Sequence, residues 1–528
     1  MNKDKTLKNT LLFVHIPTHF KEIIRVARIM KQTDIYQPYV FFDANYEGID
    51  KHIAQCKKEN IQYINYFDIT IAANKSEKTK LWFKIFRRFV LSFVKFVKFL
   101  GSLKVFKVLK VIRFLFLPIG IIFKKIIPLV KKKKFDLGLG IRQKVGSYLL
   151  VCYKLIWDKF PFLLPTISRV AHHYCKYFPR IIIEGYDIKL MVFPEHNLFY
   201  FTQLLADLGR KKNIPSIIVP FTIANTIEWS EAFYKEPSRS LLKFHNRLVA
   251  FAFPNWIHYY KNKLLLLPVE IVLLHEMFHI APKKPWLLNS GNINFLALES
   301  NAMKEYYVSA GIEEKHLRAT GALYNDELFL KLQNVDTYRT KLYGSLNMES
   351  HKPMILCALP PNQCDGRLDV MEFSDYQEIV RYVLSQLSNY SNKYNIVVNL
   401  HPRIRPSSIE FIKEYPVKVF YGDIAEIIPL SSIYIAVCSA TIRMAISCGI
   451  PVINYDLYQY RYDDYTDLDG VVTVFQCSEF SATLEKLVNE EVFYEQVKKA
   501  QLKDSSKWGA LDGKAGQNLL NEINLLFA

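Results

Sequence analysis

Short apolar runs alternate with amphipathic segments through most of the chain. TLLFVHIP, HFKEIIRVARIMKQ and QPYVFFD predict a strand, a helix and a second strand near the start. The alternation resumes with IKLMVFPE near residue 188, and a new cycle begins with KPMILCALP near residue 352. This order predicts an α/β chain of two Rossmann-like halves, in which ligands bind beyond the carboxyl ends of the strands.

The length supports two halves with separate cores. At 528 residues the chain exceeds the roughly 250–300 residues at which a single hydrophobic core stops growing. We expect an N-terminal domain at 1–335, a C-terminal domain at 336–510, and a last helix at 511–528 that returns to the N-terminal domain. The cleft between two facing domains is the expected active site.

Positive charge is concentrated in one part of the N-terminal half. The formal net charge is +19, and the stretch from Lys78 to Phe135 has 17 Lys or Arg and no acidic residue. Its longest uncharged run, 114–123, is far shorter than the roughly 20 residues that span a bilayer. Because Phe, Leu and Ile are interleaved with the cations, we predict a basic amphipathic helical insertion at 78–178 on an anionic membrane surface.

Two alternatives remain for this insertion, namely a helical hairpin packed on its own domain and a nucleic-acid-binding segment. No base-reading spacing is visible, so we expect no nucleic acid partner. The eight cysteines form no CxxC pair, which suits a reducing compartment. The N-terminus lacks the long apolar region of a secretory signal. We therefore expect a cytoplasmic protein, peripheral on the inner face of the cell membrane.

One motif points to a different chemistry. HEMFH at 275–279 has the spacing of the two zinc-binding histidines of a peptidase, and Glu299 follows as a possible third ligand. However, NINFLALES, which contains Glu299, predicts a strand rather than the helix that normally carries this ligand. We interpret the motif as structural and expect no metal site, with contact to an acceptor or zinc binding as the alternatives.

Three stretches resemble glycosyltransferases of the GT-B fold. Residues 297–326 resemble the end of the N-terminal domain in capsule and surface-polysaccharide transferases. NLHPR at 399–403 resembles the His-Pro motif of bacterial polysialyltransferases and Kdo transferases, and residues 438–456 resemble a nucleotide-side strand, loop and helix. Non-hydrolysing UDP-GlcNAc 2-epimerases and CDP-glycerol glycerophosphotransferases use the same fold. The resemblance implies two Rossmann-like domains that face a cleft.

The residue types in the second half suit a departing nucleotide. Negative charge develops on the leaving phosphate, so the site must supply cations and hydrogen-bond donors. Arginines fork onto phosphates, and a helix N-terminus attracts anions. An ordinary strand-end histidine and an ordinary N-cap are the alternative interpretation. The residues expected to bind the nucleotide are Asn362, His401, Pro402, Arg403, Arg405, Ser439, Ala440 and Thr441.

At one position the sequence differs from a common GT-B pattern. Retaining GT-B enzymes often carry a Glu-Ala pair where this chain has Met444 and Ala445. This difference favours an inverting enzyme, which needs a general base for the acceptor hydroxyl.

We expect the catalytic residues at strand ends of both halves. Glu195, at the end of a predicted strand, is the first candidate for the base, and His196 beside it and His19 are the next. Asp43 and Asp326 are weaker candidates. In the second half, His401 is expected to hydrogen-bond or protonate the leaving phosphate.

The predicted function is transfer of a sugar from a CMP-sugar or UDP-sugar to a lipid-linked or polysaccharide acceptor in surface polysaccharide synthesis. We expect no cofactor besides this donor substrate, and no required metal. The closest alternative is a CDP-glycerol-type glycerophosphotransferase. Further alternatives are a non-hydrolysing epimerase, a zinc metallopeptidase and a non-catalytic membrane scaffold.

Overall fold

A computed structural model describes residues 7–66, 139–196, 198, 202–220, 226–401 and 403–528. The most basic part of the predicted insertion, residues 78–138, and Pro402 lie outside the described residues. The chain divides into two compact units, one made of residues 1–221 and 229–294, the other of residues 222–228 and 295–528.

The first unit is built on parallel strands in the order β3-β2-β1-β4-β5. The strands are almost wholly apolar where they are buried, as expected for a sheet covered on both faces. An antiparallel pair, β6 and β7, lies outside this sheet. The strands are β1 (Lys8–Val14), β2 (Tyr36–Phe42), β3 (Gln62–Asn65), β4 (Leu190–Phe193), β5 (Ser216–Ile218), β6 (Ile257–Tyr260) and β7 (Asn262–Leu265).

The helices of the first unit include a pair, α3 and α4, that follows the undescribed residues. Val145, Tyr153 and Trp157 of α3 are buried against α7 and α8. The helices are α1 (Pro17–Lys31), α2 (Ile49–Lys58), α3 (Leu139–Lys159), α4 (Thr166–Phe178), α5 (Thr202–Lys211), α6 (Thr226–Phe233, whose start belongs to the second unit), α7 (Phe244–Ala252) and α8 (Val269–Met277).

The second unit contains a parallel pair, β8 and β9, and a parallel six-stranded sheet in the order β12-β11-β10-β13-β14-β15. The prediction of an α/β chain with two parallel sheets is confirmed; the GT-B arrangement of the two halves stays a prediction. The strands are β8 (Phe295–Leu298), β9 (Leu317–Ala319), β10 (Met354–Leu359), β11 (Asn395–Leu400), β12 (Lys418–Phe420), β13 (Ile433–Ala436), β14 (Val452–Tyr455) and β15 (Val471–Val474).

The strands of this second sheet bury side chains in two separate apolar clusters, one on each face. Helices contribute to both clusters and so cover both faces of the sheet. The helices are α9 (Asn301–Ser309), α10 (Leu323–Gln333), α11 (Val335–Leu346), α12 (Tyr376–Ser388), α13 (Ile442–Ser447), α14 (Cys477–Asn489), α15 (Glu491–Trp508) and α16 (Ala515–Leu525). Short 3₁₀ or π turns lie at Pro161–Leu163, Pro179–Glu184, Pro254–Trp256, Glu314–His316, Pro406–Glu414, Ile424–Glu426 and Ile428–Leu430.

The last helix is anchored by an acidic residue. Both carboxylate oxygens of Asp326 accept hydrogen bonds from the first backbone N–H groups of α16, those of Ala515 and Gly516, each at 2.8 Å. Arg318 also pairs with Glu522 on that helix at 2.9 Å. The compact units divide at residue 294, so residues 318 and 326 belong to the same unit as this helix, while the predicted domain bounds at 335 and 510 stay predictions. Asp326, a weaker candidate for the catalytic base, is instead engaged as a helix cap.

No helix in the described part of the chain has both the length and the apolar character needed to cross a bilayer.

Candidate functional site

The second unit contains a cavity of about 610 Å³ beside the carboxyl ends of β13 and β14. This is the edge at which parallel α/β sheets bind ligands. Ser439 and Ala440, in the loop after β13, line the cavity, as does Asn454 on β14. Helices α9 and α15 and the loop at 462–468 complete the wall. The other polar side chains of the lining are Glu228, Glu305, Tyr306, Ser309, Cys438, Arg443, Tyr462, Asp463, Asp464, Tyr465, Asp467, Asp504, Lys507 and Trp508.

A buried ion pair lies beside this cavity and was missed from the sequence. Arg443 on α13 pairs with Glu299 at 2.8 Å, and their side chains are only 8% and 13% exposed. Tyr324 donates its hydroxyl to the other oxygen of Glu299, and Arg443 donates to the carbonyl of Ala440. Burial lowers the pKa of Arg443, but Glu299, Tyr465, Tyr324 and Asp464 together outweigh this effect and the pKa is raised overall. Arg443 is therefore charged, and its hydrogen bond to Ala440 connects α13 to the loop after β13.

This loop differs in part from the predicted anion site. Cys438 has φ of 44°, and its N–H donates to the Asn454 side chain at 2.9 Å. Ser439 and Ala440 face the cavity, but the Thr441 hydroxyl is hydrogen-bonded to those of Tyr434 and Ser439. The helix that follows, α13, has only six residues, so few peptide dipoles are aligned behind its N-terminus. The helix end is therefore a weaker anion site than the sequence predicts.

His401 directly follows β11, as predicted. Its Nδ1 accepts the backbone N–H of Arg403 at 3.1 Å, so a neutral ring carries its proton on Nε2. Burial, with the nearby charge of Arg403, lowers the pKa of His401 to about 4. The imidazole is neutral at pH 7 and can donate a hydrogen bond through Nε2–H. It is poorly suited to protonate a leaving phosphate, which corrects one of the two roles proposed for it.

Three other predicted nucleotide-binding residues lie at the protein surface. Arg403 and Arg405 are exposed beyond the end of β11. Asn362 is also exposed, and its side-chain oxygen accepts the N–H of Cys364 at 3.1 Å, which stabilises its own turn.

The cavity wall is rich in carboxylates. Burial raises the pKa of Glu228, the charge of Arg403 lowers it, and the charge of Asp464 raises it again. Arg403 therefore acts on a residue that lines the cavity, whereas His401 and Asn362 are not among its lining residues.

The first unit has a second polar cluster at the carboxyl ends of its strands. His15 follows β1, Asp43 follows β2, and Glu195 lies two residues after β4. His15 Nδ1 lies 2.9 Å from an oxygen of Asp43, and His19 Nε2 lies 3.2 Å from an oxygen of Glu195. Two of the predicted catalytic residues, His19 and Glu195, are therefore in contact. His15 was missed, although the rule that selected Glu195, a polar residue just after a strand, also applies to it.

The hydrogen bonds define the proton positions in this cluster. His19 Nδ1 accepts the backbone N–H of His15, so the Nε2–H donates the hydrogen bond to Glu195. The side chains of His19 and Glu195 are 1% and 5% exposed, while that of His15 is 29% exposed. Burial lowers the pKa of His15, but its hydrogen bond to Asp43 and the charges of Asp43 and Glu195 raise the pKa overall. His15 thus combines solvent access with a carboxylate that orients its ring.

His196 is an interior residue rather than a surface group. Its backbone N–H donates to the Asn289 side chain at 2.7 Å, and its ring packs directly against Gly291. Burial, with the nearby His275, lowers the pKa of His196 to about 3. The residue is neutral and fixes the loop that carries Glu195.

The HEMFH segment does not form the geometry of a zinc peptidase. Helix α8 ends at Met277, and His279 lies beyond it with φ of 56° and an exposed side chain. His275 is buried, and burial lowers its pKa to about 4. The two histidines therefore do not share a helix face, and Glu299 is engaged with Arg443. In the described residues no group of three or more possible metal ligands is found.

Comparison with known proteins gives only distant structural similarity. No protein-family model matches the chain, and no curated protein matches it. The UDP-GlcNAc 2-epimerase from Neisseria meningitidis bound to UDP-GlcNAc is 10% identical with a TM-score of 0.46, covering 98% of this chain and 100% of that one. The calicheamicin glycosyltransferase CalG4 is 10% identical with a TM-score of 0.47, covering 99% of this chain and 98% of that one. A variant of the wall teichoic acid polymerase TagF is 14% identical with a TM-score of 0.41, covering 73% of this chain and 93% of that one. Similarity this distant assigns neither a family nor an activity.

Proposed function

We propose that the protein is an inverting glycosyltransferase that uses a nucleotide sugar. The observation that carries the proposal is the cluster of His15, His19, Asp43 and Glu195 at the carboxyl edge of the first sheet. A histidine oriented by a carboxylate is a standard arrangement for a general base. The resemblance of NLHPR and of 438–456 to donor-binding segments supports a nucleotide site in the second unit.

In the proposed reaction His15 acts as the base. Its Nε2 takes the proton of an acceptor hydroxyl, while Asp43 accepts the Nδ1–H bond and stabilises the imidazolium that forms. The acceptor oxygen bonds to the anomeric carbon as the bond from that carbon to the nucleotide phosphate breaks, and the bonding electrons leave with the phosphate. The buried pair His19 and Glu195 positions this base. Glu195, the first candidate from the sequence, is therefore not itself the base in this proposal.

In the second unit we assign hydrogen bonding of the leaving phosphate to His401 through Nε2–H, with Arg403 and Arg405 as exposed cations near it in sequence. The donor is a CMP-sugar or a UDP-sugar, and the acceptor is lipid-linked or a polysaccharide of the cell surface. We further propose peripheral attachment to the inner face of the cell membrane, supported by the cation-rich stretch from Lys78 to Phe135.

A nucleotide screen tests the proposal directly. A ligand that binds only the folded state stabilises it by about 2.7 kcal/mol at a hundred times its Kd, so CMP or UDP should raise the melting temperature. His401→Ala should weaken this stabilisation. His15→Ala should abolish sugar transfer and leave nucleotide binding unchanged. Stabilisation by CDP alone would favour the glycerophosphotransferase, which shares the His-Pro motif. Failure of all nucleotides would reject both and favour a scaffold.

A further inference from the structure

Exposed apolar side chains are concentrated on one helical hairpin of the first unit. Of the 22 large hydrophobic side chains that are exposed in the described residues, ten lie between residues 139 and 170. A surface patch of this kind on a soluble protein usually marks an interaction site. We call the exposed face of α3, the turn at 160–165 and α4 the hairpin surface. Its most informative members are Tyr148, Val151, Leu155, Phe162, Leu163 and Ile167.

The hairpin surface is opposite to the face that packs on the domain. Val145, Tyr153 and Trp157 turn one side of α3 toward α7 and α8. Residues 148, 151 and 155 are spaced three and four apart, so they form a single stripe on the other side. The stripe leads to the apolar turn and to the start of α4. The core of the first unit therefore does not need these side chains.

Cations flank this apolar surface. Lys144, Lys154, Lys159 and Arg169 are exposed on the same two helices, with Asp158 as the exposed acidic residue among them. Apolar groups surrounded by long basic side chains match the boundary between acyl chains and anionic headgroups, because the cations can extend to the phosphates. In sequence the hairpin follows the stretch from Lys78 to Phe135, which has no acidic residue.

We propose that the hairpin surface docks on an anionic lipid bilayer, with its apolar stripe and turn at the acyl boundary and its cations at the phosphate level. This deepens the membrane attachment in the proposed function by naming the side chains that enter the lipid. It does not depend on which group the enzyme transfers. A segment of the same chain and a second copy of the protein are the competing occupants, and the test below distinguishes them.

The test measures binding of the full chain to sedimenting vesicles. Val151→Ser, Leu155→Ser and Leu163→Ser are combined in one variant, and Val492→Ser with Leu502→Ser is the matched control, since those two side chains are also exposed but lie on α15. On vesicles containing phosphatidylglycerol the hairpin variant should lose at least about tenfold in partition coefficient, whereas the control should bind as the natural protein does.

Two results would overturn the proposal. Unchanged vesicle binding of the hairpin variant, in a protein that stays monomeric, would mean that another segment binds the lipid and would assign the hairpin surface to a segment of the same chain. A protein that dimerises without lipid, and that becomes monomeric in the hairpin variant, would assign the surface to a second copy. All the substituted side chains are exposed, so we expect normal folding, checked by circular dichroism. Nucleotide stabilisation should be the same in both variants, which separates failure of this proposal from failure of the proposed transferase.

Discussion

Replacing Glu299 by glutamine tests whether the buried ion pair holds the second unit together around its cavity. The substitution keeps the shape of the side chain but leaves the Arg443 guanidinium, in a side chain only 8% exposed, without its counter-charge. Breaking a buried pair on one side costs about 3–5 kcal/mol. Because the cavity borders Arg443 and admits water, we expect the lower limit, about 3 kcal/mol.

Hydrogen exchange followed by mass spectrometry localises this loss. A cost of about 3 kcal/mol corresponds to roughly a hundredfold faster exchange in peptides that cover α9 and α13. Glu495→Gln is the control, because its pair with Lys498 is exposed and should contribute less than about 1 kcal/mol. Adding Arg443→Met to Glu299→Gln should restore protection, since an apolar replacement removes the uncompensated charge. Exchange in Glu299→Gln within about threefold of the natural protein would refute the argument.

Two further predictions concern the first unit. Asp43→Asn removes the carboxylate charge that raises the pKa of His15 and leaves only a neutral amide to accept its Nδ1–H. The rise of kcat/KM with increasing pH should therefore move to lower pH, and a pH profile that does not move would exclude His15 as the base. Gly291→Ala places a methyl group in the position of the His196 ring and should destabilise the protein by about 1–3 kcal/mol in thermal unfolding. Gly140→Ala is its control, because nothing lies within 4 Å of the added methyl, and an equal loss in both variants would contradict the steric argument.

The parallel sheets could be predicted from sequence because their strands are buried on both faces. QPYVFFD and KPMILCALP are nearly continuous apolar runs, and they form β2 and β10. The antiparallel pair β6 and β7 was not predicted, because its strands mix Tyr, His and Lys with apolar residues. At its turn Lys261 has φ of 48°. A glycine would have indicated this conformation in the sequence, but the turn has none.

The candidate site was only partly predictable, because the sequence shows the position of a residue but not its contacts with distant segments. Position after a strand is visible in the sequence, so Glu195 and His401 could be selected. Burial and charge partners depend on contacts between distant segments, and these decide the protonation state. The low pKa of His401 and the ion pair between Arg443 and Glu299 therefore became apparent only with the structure.

The charges of the second unit also limit how a donor can bind there. Arg443 is already neutralised by Glu299, while Glu228, Asp463 and Asp464 line the cavity, so the wall offers no surplus of positive charge to a phosphate. Carboxylates are well suited to accept hydrogen bonds from sugar or ribose hydroxyls. The neutral His401 and the exposed Arg403 lie at the end of β11, and Arg403 acts on Glu228 at the cavity wall. Under the proposed function we therefore infer that the phosphates of the donor lie toward the end of β11 and its hydroxyls toward the carboxylates.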